Sequence, residues 1–153
     1  MATLKIGDPA PDFRGTDQHG NEISLSEMRG SRVILYFYPK DNTPGCTAEA
    51  CNLRDNHRIL LDKGYRIVGV SPDDAKSHKN FSDKYGLPFP LIPDKAKNII
   101  MEYGAWGKKK LYGKEYEGLL RMTFVIDPAG RISHIFDKVD TKNHTEQILK
   151  ATE

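Results

Sequence analysis

The sequence predicts an α/β sandwich, a mixed central sheet flanked by helices, in one domain over residues 1–153. Three observations predict it. Val33-Ile34-Leu35-Tyr36-Phe37-Tyr38 is a continuous apolar run bounded by turn signals, the pattern of a buried strand. Helical and strand-like segments alternate over the first two-thirds of the chain. Near the end, Asp127-Pro128-Ala129-Gly130 separates two short apolar runs, as in a hairpin.

In order, short strands are expected near Phe13 and over Asn21 to Leu25, then the strong strand Arg32 to Tyr38. Thr43-Pro44 starts a helix that runs to about Lys63 and stops at Gly64, because proline suits the first helical position and glycine the exit. Tyr65 to Val70 is the next strand. Ser71-Pro72-Asp73-Asp74 supplies a serine cap, a proline and first-turn acids for a helix ending before Gly86. A third helix is expected near Lys95 and a last one near Asp140-Thr141. Thr123 to Asp127 and Arg131 to Phe136 are the hairpin strands. This order matches a thioredoxin-like fold and also fits other small α/β domains.

A length of 153 residues is enough for a real core, and 38% hydrophobic with 29% charged residues suits a soluble globular protein. A net charge of +2 points to neither nucleic acid nor an acidic membrane surface. The one basic run, Lys108-Lys109-Lys110, reads as a solvated loop. Neither a signal-peptide core nor a bilayer-length apolar segment is present, so a cytoplasmic protein with reduced thiols is expected.

The chain has two cysteines, Cys46 and Cys51. With Thr43 as N-cap, Cys46 is the third helical residue, where unpaired amides and the helix dipole favour an anion. It should ionise more readily than a free thiol of pKa about 8.5. Cys46, Ala50, Leu53, His57 and Leu60 form one stripe at helical spacing, which turns Cys46 toward the sheet. Cys51 is rotated about 140° from it. Residues five apart in an intact helix have Cα atoms about 8.6 Å apart, beyond the roughly 7 Å limit of a disulfide. A static staple would require lost helix and would contribute only about 2 kcal/mol in the entropy model. Cys46, Cys51 and His57 fall short of a zinc site, and the C-x-x-C pattern of disulfide exchangers is absent. The pair therefore points to redox chemistry that unwinds and rewinds the helix start.

At pH 7 a free thiol is about 3% ionised, so ionisation alone gains at most about 30-fold. A fast thiol enzyme needs donors aimed at the leaving oxygen as well. Thr43 offers a hydroxyl and Gly45 and Cys46 offer amides. Composition alone does not choose the cation among 23 lysines and arginines; Arg121, just before the strand Thr123 to Asp127, stands at a sheet edge.

Pro39-x-x-x-Thr43-x-x-Cys46, with Arg121 in Arg-x-Thr-Phe-x-Ile-Asp, resembles the active-site motif of peroxiredoxins. Tyr38-Pro39-Lys40-Asp41-Asn42-Thr43-Pro44-Gly45-Cys46-Thr47-Ala48-Glu49-Ala50-Cys51, with Asn52-Leu53-Arg54-Asp55 after it, is similar to the bacterioferritin comigratory protein (PrxQ) branch. So is the stretch Trp106-Gly107, Tyr112-Gly113, Tyr116 and Gly118. The likeness runs from Gly7-Asp8-Pro9-Ala10-Pro11-Asp12-Phe13 to the region of His144. It implies a thioredoxin-like fold and a thiol peroxidase acting on hydrogen peroxide and organic hydroperoxides. By the same resemblance Cys46 is the peroxidatic nucleophile, Pro39 shields its sulfenic acid, Thr43 hydrogen-bonds substrate and Arg121 binds and polarises the peroxide. Cys51 matches the resolving cysteine, which implies an intramolecular disulfide with Cys46. Thioredoxin or a similar dithiol is the implied reductant, with no cofactor or metal, and the branch implies a monomer. Glu49 is a candidate to orient Arg121. Two other readings stand beside it: a stoichiometric redox sensor or chaperone-like binding protein, and a disulfide reductase.

Overall fold

The computed structural model describes residues 4–153. A short antiparallel ribbon, β1 (Arg14–Thr16) and β2 (Glu22–Ser24), precedes the main sheet. Strand β3 (Arg32–Phe37) feeds helices α1 (Pro44–Asp55) and α2 (His57–Asp62). Strand β4 (Tyr65–Ser71) feeds α3 (Ala75–Tyr85), and β5 (Leu91–Pro93) feeds α4 (Asn98–Glu102). A separate hairpin, β6 (Trp106–Leu111) and β7 (Lys114–Leu119), stands before β8 (Met122–Ile126), β9 (Ile132–Phe136) and the closing helix α5 (His144–Thr152).

The central sheet has the order β5-β4-β3-β8-β9. Strands β3, β4 and β5 are parallel, and β8 and β9 are antiparallel, so the predicted mixed sheet is present. Alternation along β3 builds both faces. Val33, Leu35 and Phe37 join Phe13, Val68, Ile100, Tyr103 and Phe124 on one side. Ile34, Tyr36 and Tyr38 join Cys46, Leu53, Phe81 and Ile148 on the other, beneath α1, α3 and α5. The helix that carries both cysteines thus packs its apolar residues onto this face of the sheet. No helix among the described residues is long and apolar enough to cross a membrane.

Three expectations are corrected. The helix expected over residues 43–63 breaks at Asn56, whose backbone and side-chain N–H both donate to Asn52 O, at 3.2 and 2.8 Å. A side chain that competes for the helical carbonyl ends the ladder there. Ser71 is not the cap of α3: it is buried at the end of β4, and Asp74 caps by accepting from Ser77 N–H at 2.8 Å. Lys108, Lys109 and Lys110 do not form a loop but lie in β6, where Lys108 faces Glu117 and Lys110 faces Glu115 on β7. Tyr112 and Gly113 make the turn, both at positive φ (52° and 78°), as a two-residue hairpin requires.

Candidate active site

The site is built where β3 ends, α1 begins and β8 begins. Tyr36 pairs with Thr123 and Phe37 with Met122 in the antiparallel β3–β8 register. That register carries Arg121, 75 residues beyond Cys46 in the chain, to the end of β3 from which α1 starts. Its guanidinium donates from Nη2 to Cys46 Sγ at 3.2 Å and from Nη1 to Glu49 Oε1 at 2.7 Å. Cys46 is buried at 1% exposure, while the Arg121 side chain keeps 23%, so the cation bridges the thiol to solvent. The close approach depends on Gly45, where a Cβ would stand 3.2 Å from Arg121 Nη2.

Pro44 and Gly45 place Cys46 third in α1, as the sequence predicts. Thr47 N–H is the first to find a helical carbonyl, Thr43 O at 2.8 Å, which leaves the Gly45 and Cys46 N–H groups outside the ladder. Thr43 is the N-cap residue, yet its side chain does not cap. Its hydroxyl donates to Lys40 O at 2.8 Å, leaving oxygen lone pairs to accept from a bound O–H. Pro39, half-buried, continues from β3 into the loop. The stripe holds: Cys46, Ala50, Leu53 and Leu60 are buried, and His57 is half-buried with its ring 6.3 Å from Phe89. Cys51 lies half-buried on another face of α1, and both thiols are free.

Asp41, quoted in the sequence motif without a role, braces the loop. Its carboxylate accepts from Tyr38 OH at 2.6 Å and Ser77 Oγ at 2.7 Å, and lies 2.6 Å from His78 Nδ1. Its own N–H donates to Asp73 Oδ2 at 2.7 Å. Asp41, Asp73 and His78 bring ligand-type atoms within 4.8 Å of one another, but protein donors already engage both carboxylates. The arrangement is a brace for the segment that carries Thr43. No local pattern marks it, because its members come from three elements.

Glu49 is fully buried, and burial raises its carboxyl to about 7 even though Arg121 pulls the other way. Beyond it lies His144 of α5, 3.6 Å from Glu49 Oε2, its ring pushed down to about 4, mainly by burial.

A thiol at a helix N-terminus, held under a guanidinium on the face of a mixed sheet, defines a thiol-based redox enzyme of the thioredoxin-like fold class. The model of the AhpC/TSA family matches residues 6–135. Peroxiredoxin Bcp of Escherichia coli (strain K12) is 42% identical over 149 residues, 97% of this chain and 96% of that protein. Peroxiredoxin Bcp of Bacillus subtilis (strain 168) is 43% identical over 148 residues, 97% and 94% of the two chains. Among solved structures, Xanthomonas campestris peroxiredoxin Q superposes with a TM-score of 0.87 at 33% identity, over 98% of this chain and 95% of that one. The bacterioferritin comigratory protein of the same organism, described for its alkyl peroxide reduction activity, gives 0.87 at 33%, over 99% and 96%. The chain belongs to the AhpC/TSA family and, within it, to the peroxiredoxins of the Bcp/PrxQ kind; it is a thiol peroxidase.

Proposed function

We propose that this peroxidase reduces hydrogen peroxide and organic hydroperoxides, alkyl hydroperoxides included, through a Cys46 sulfenic acid and an intramolecular Cys46–Cys51 disulfide. The observation that carries the assignment is the 3.2 Å contact from Arg121 Nη2 to Cys46 Sγ, with the guanidinium steadied by Glu49. The Cys46 thiolate attacks one peroxide oxygen. The O–O bond breaks, an S–O bond forms, and water or an alcohol leaves. Arg121 and the Gly45 and Cys46 N–H groups stabilise the charge developing on the oxygens, the term in which fixed donors act most strongly. Thr43 accepts from the peroxide O–H, and Pro39 shields the sulfenic acid.

Resolution needs a change of shape. Cys46 and Cys51 sit in one continuous helix, whose geometry holds their Cα atoms about 8.6 Å apart, too far for a disulfide. The first turns of α1 unwind, the Cys51 thiol attacks the sulfenic sulfur, and water leaves. Thioredoxin or a similar dithiol then reduces the disulfide. The enzyme works as a monomer in the cytoplasm, where such a reductant is held reduced.

Stopped-flow mixing of the reduced protein with hydrogen peroxide tests the cycle. Two thiols per chain should be lost rapidly, with no covalent dimer on a non-reducing gel. Cys46→Ser should lack peroxidase activity, and Cys51→Ser should consume about one equivalent and stall. Unimpaired thioredoxin-dependent turnover by Cys51→Ser would refute the resolving role.

A further inference from the structure

One buried corner of the site takes no part in the chemistry above. Glu49 Oε1 accepts from Arg121, but Glu49 Oε2 has no hydrogen-bond partner among the described residues. What it faces is His144 Nε2, at 3.6 Å, and both side chains are at 0% exposure. The hydrogen bonds around His144 fix its tautomer. Gln147 donates from Nε2 to Lys138 O at 2.8 Å, while its Oε1 accepts from Asp140 N–H at 2.9 Å. His144 Nδ1 lies 2.9 Å from that same Oε1, an atom that only accepts, so Nδ1 carries the ring hydrogen. Nε2 then carries the ring's one lone pair, which accepts from the Thr123 hydroxyl at 2.8 Å and leaves this nitrogen no hydrogen to give Glu49. An ionised Glu49 would set one acceptor against another at 3.6 Å, both of them fully buried.

The charges nearby bear on the same corner. Arg121 and Cys46 approach Glu49 along the guanidinium, Tyr36 of β3 lies in its field, and His144 and Thr123 close the far side. With Cys46 ionised, an ionised Glu49 would leave two buried anions on one cation. With Cys46 as sulfenic acid, Glu49 alone would balance Arg121. Removing one unit charge at this range moves such an equilibrium by something on the order of a hundredfold.

We propose that Glu49, whose unpartnered oxygen faces an imidazole nitrogen with no hydrogen to give, holds a proton while Cys46 is a thiolate and gives it up when Cys46 becomes sulfenic acid. The inference rests on the peroxidase cycle above. The peroxide step is Cys46–S⁻ + ROOH + H⁺ → Cys46–SOH + ROH: sulfur loses two electrons, and the leaving oxygen gains them with a proton. Glu49 releases one proton to solvent as the leaving oxygen takes one, so the net uptake is zero and the charge of the pocket is constant. The carboxyl, with its midpoint near neutrality, is the member that holds the proton, because the ring is too weak a base. His144 is a positioning residue in this scheme.

Infrared spectroscopy of the reduced protein near pH 6 tests it directly. A carboxylic-acid C=O band should be present in the parent and absent from Glu49→Gln. The ultraviolet absorbance at the same pH should show a thiolate. In a Cys51→Ser background, one equivalent of peroxide should remove the band. An indicator dye should then register about zero protons taken up per sulfenic acid, and about one when Glu49→Gln is added. His144→Asn should lower the pH midpoint of the band by roughly one unit. Absence of the band, its survival in the sulfenic state, a thiol in place of the thiolate, or equal proton uptake with and without Glu49 would overturn the proposal; an unmoved midpoint in His144→Asn would remove His144 from it. The band of the reduced protein is read before any peroxide is added, so it decides the position of the proton even if peroxide turnover fails.

Discussion

For single residues, Arg121 ties the Cys46 sulfur to the Glu49 carboxyl group with one planar group, a geometry that lysine does not reproduce. If Arg121 acted only by ionising Cys46, its loss could slow the peroxide step by at most about 30-fold at pH 7 and not at all near pH 9. We expect Arg121→Ala to slow it further than that at both pH values, since polarisation of the leaving oxygen is lost too; recovery near pH 9 would assign the whole effect to ionisation. Gly45 is set by the same contact. Gly45→Ala should shift the guanidinium by a few tenths of an ångström relative to the sulfur and cut kcat/KM for peroxide about tenfold. The melting temperature should hold or rise, because alanine favours helix. Loss of stability in step with activity would contradict this steric account.

At the scale of elements, Asn52 joins α1 to α5 immediately after Cys51. Its Oδ1 accepts from Thr145 N–H at 2.7 Å, and its Nδ2 donates to Lys142 O at 3.1 Å and Glu146 Oε2 at 3.2 Å. Asn143, the residue at the N-cap of α5, makes no side-chain capping bond, so α5 is capped from another helix. The contact also marks where unwinding of α1 would stop. Asn52→Ala should cost about 2 kcal/mol in denaturant unfolding, as a lost cap with further hydrogen bonds does. It should speed disulfide formation several-fold and leave the peroxide step unchanged. A slower resolving step would show instead that the anchor delivers Cys51 rather than restraining it.

At the scale of the whole molecule, two buried groups set opposed pH slopes. The Glu49 carboxyl is at about 7 in the fold against an ordinary 4.5. Between those values the folded state binds the extra proton, and stability falls as pH rises. His144 is at about 4 against 6.5, so there the unfolded chain binds the extra proton, and stability rises with pH. From pH 4.5 to 6.5 the two slopes offset one another. Denaturant unfolding over that window should therefore show a rising slope in Glu49→Gln and a falling one in His144→Gln, each worth about 3 kcal/mol relative to the parent. Parent-like slopes in both variants would contradict the buried pair.

Local features are legible in the amino-acid order alone. The run from Val33 to Tyr38, the proline and glycine that open α1, the stripe from Cys46 to Leu60 and the turn at Asp127–Gly130 are set by neighbours a few residues away, through sterics, helix dipole and periodicity. The β6–β7 hairpin has a local signal too, since Tyr112-Gly113 separates Lys108 and Lys110 from Glu117 and Glu115, the partners they face across the ribbon. Motif resemblance supplied Arg121, which spacing alone did not select. The remaining features arise from packing between distant segments. The β3–β8 register sets the guanidinium against the sulfur, the loop is braced by residues of three elements, and α5 brings His144 to the buried oxygen of Glu49. Burial is the cause: the charge a carboxyl or an imidazole carries depends on what packs around it, and that packing joins residues scores of positions apart.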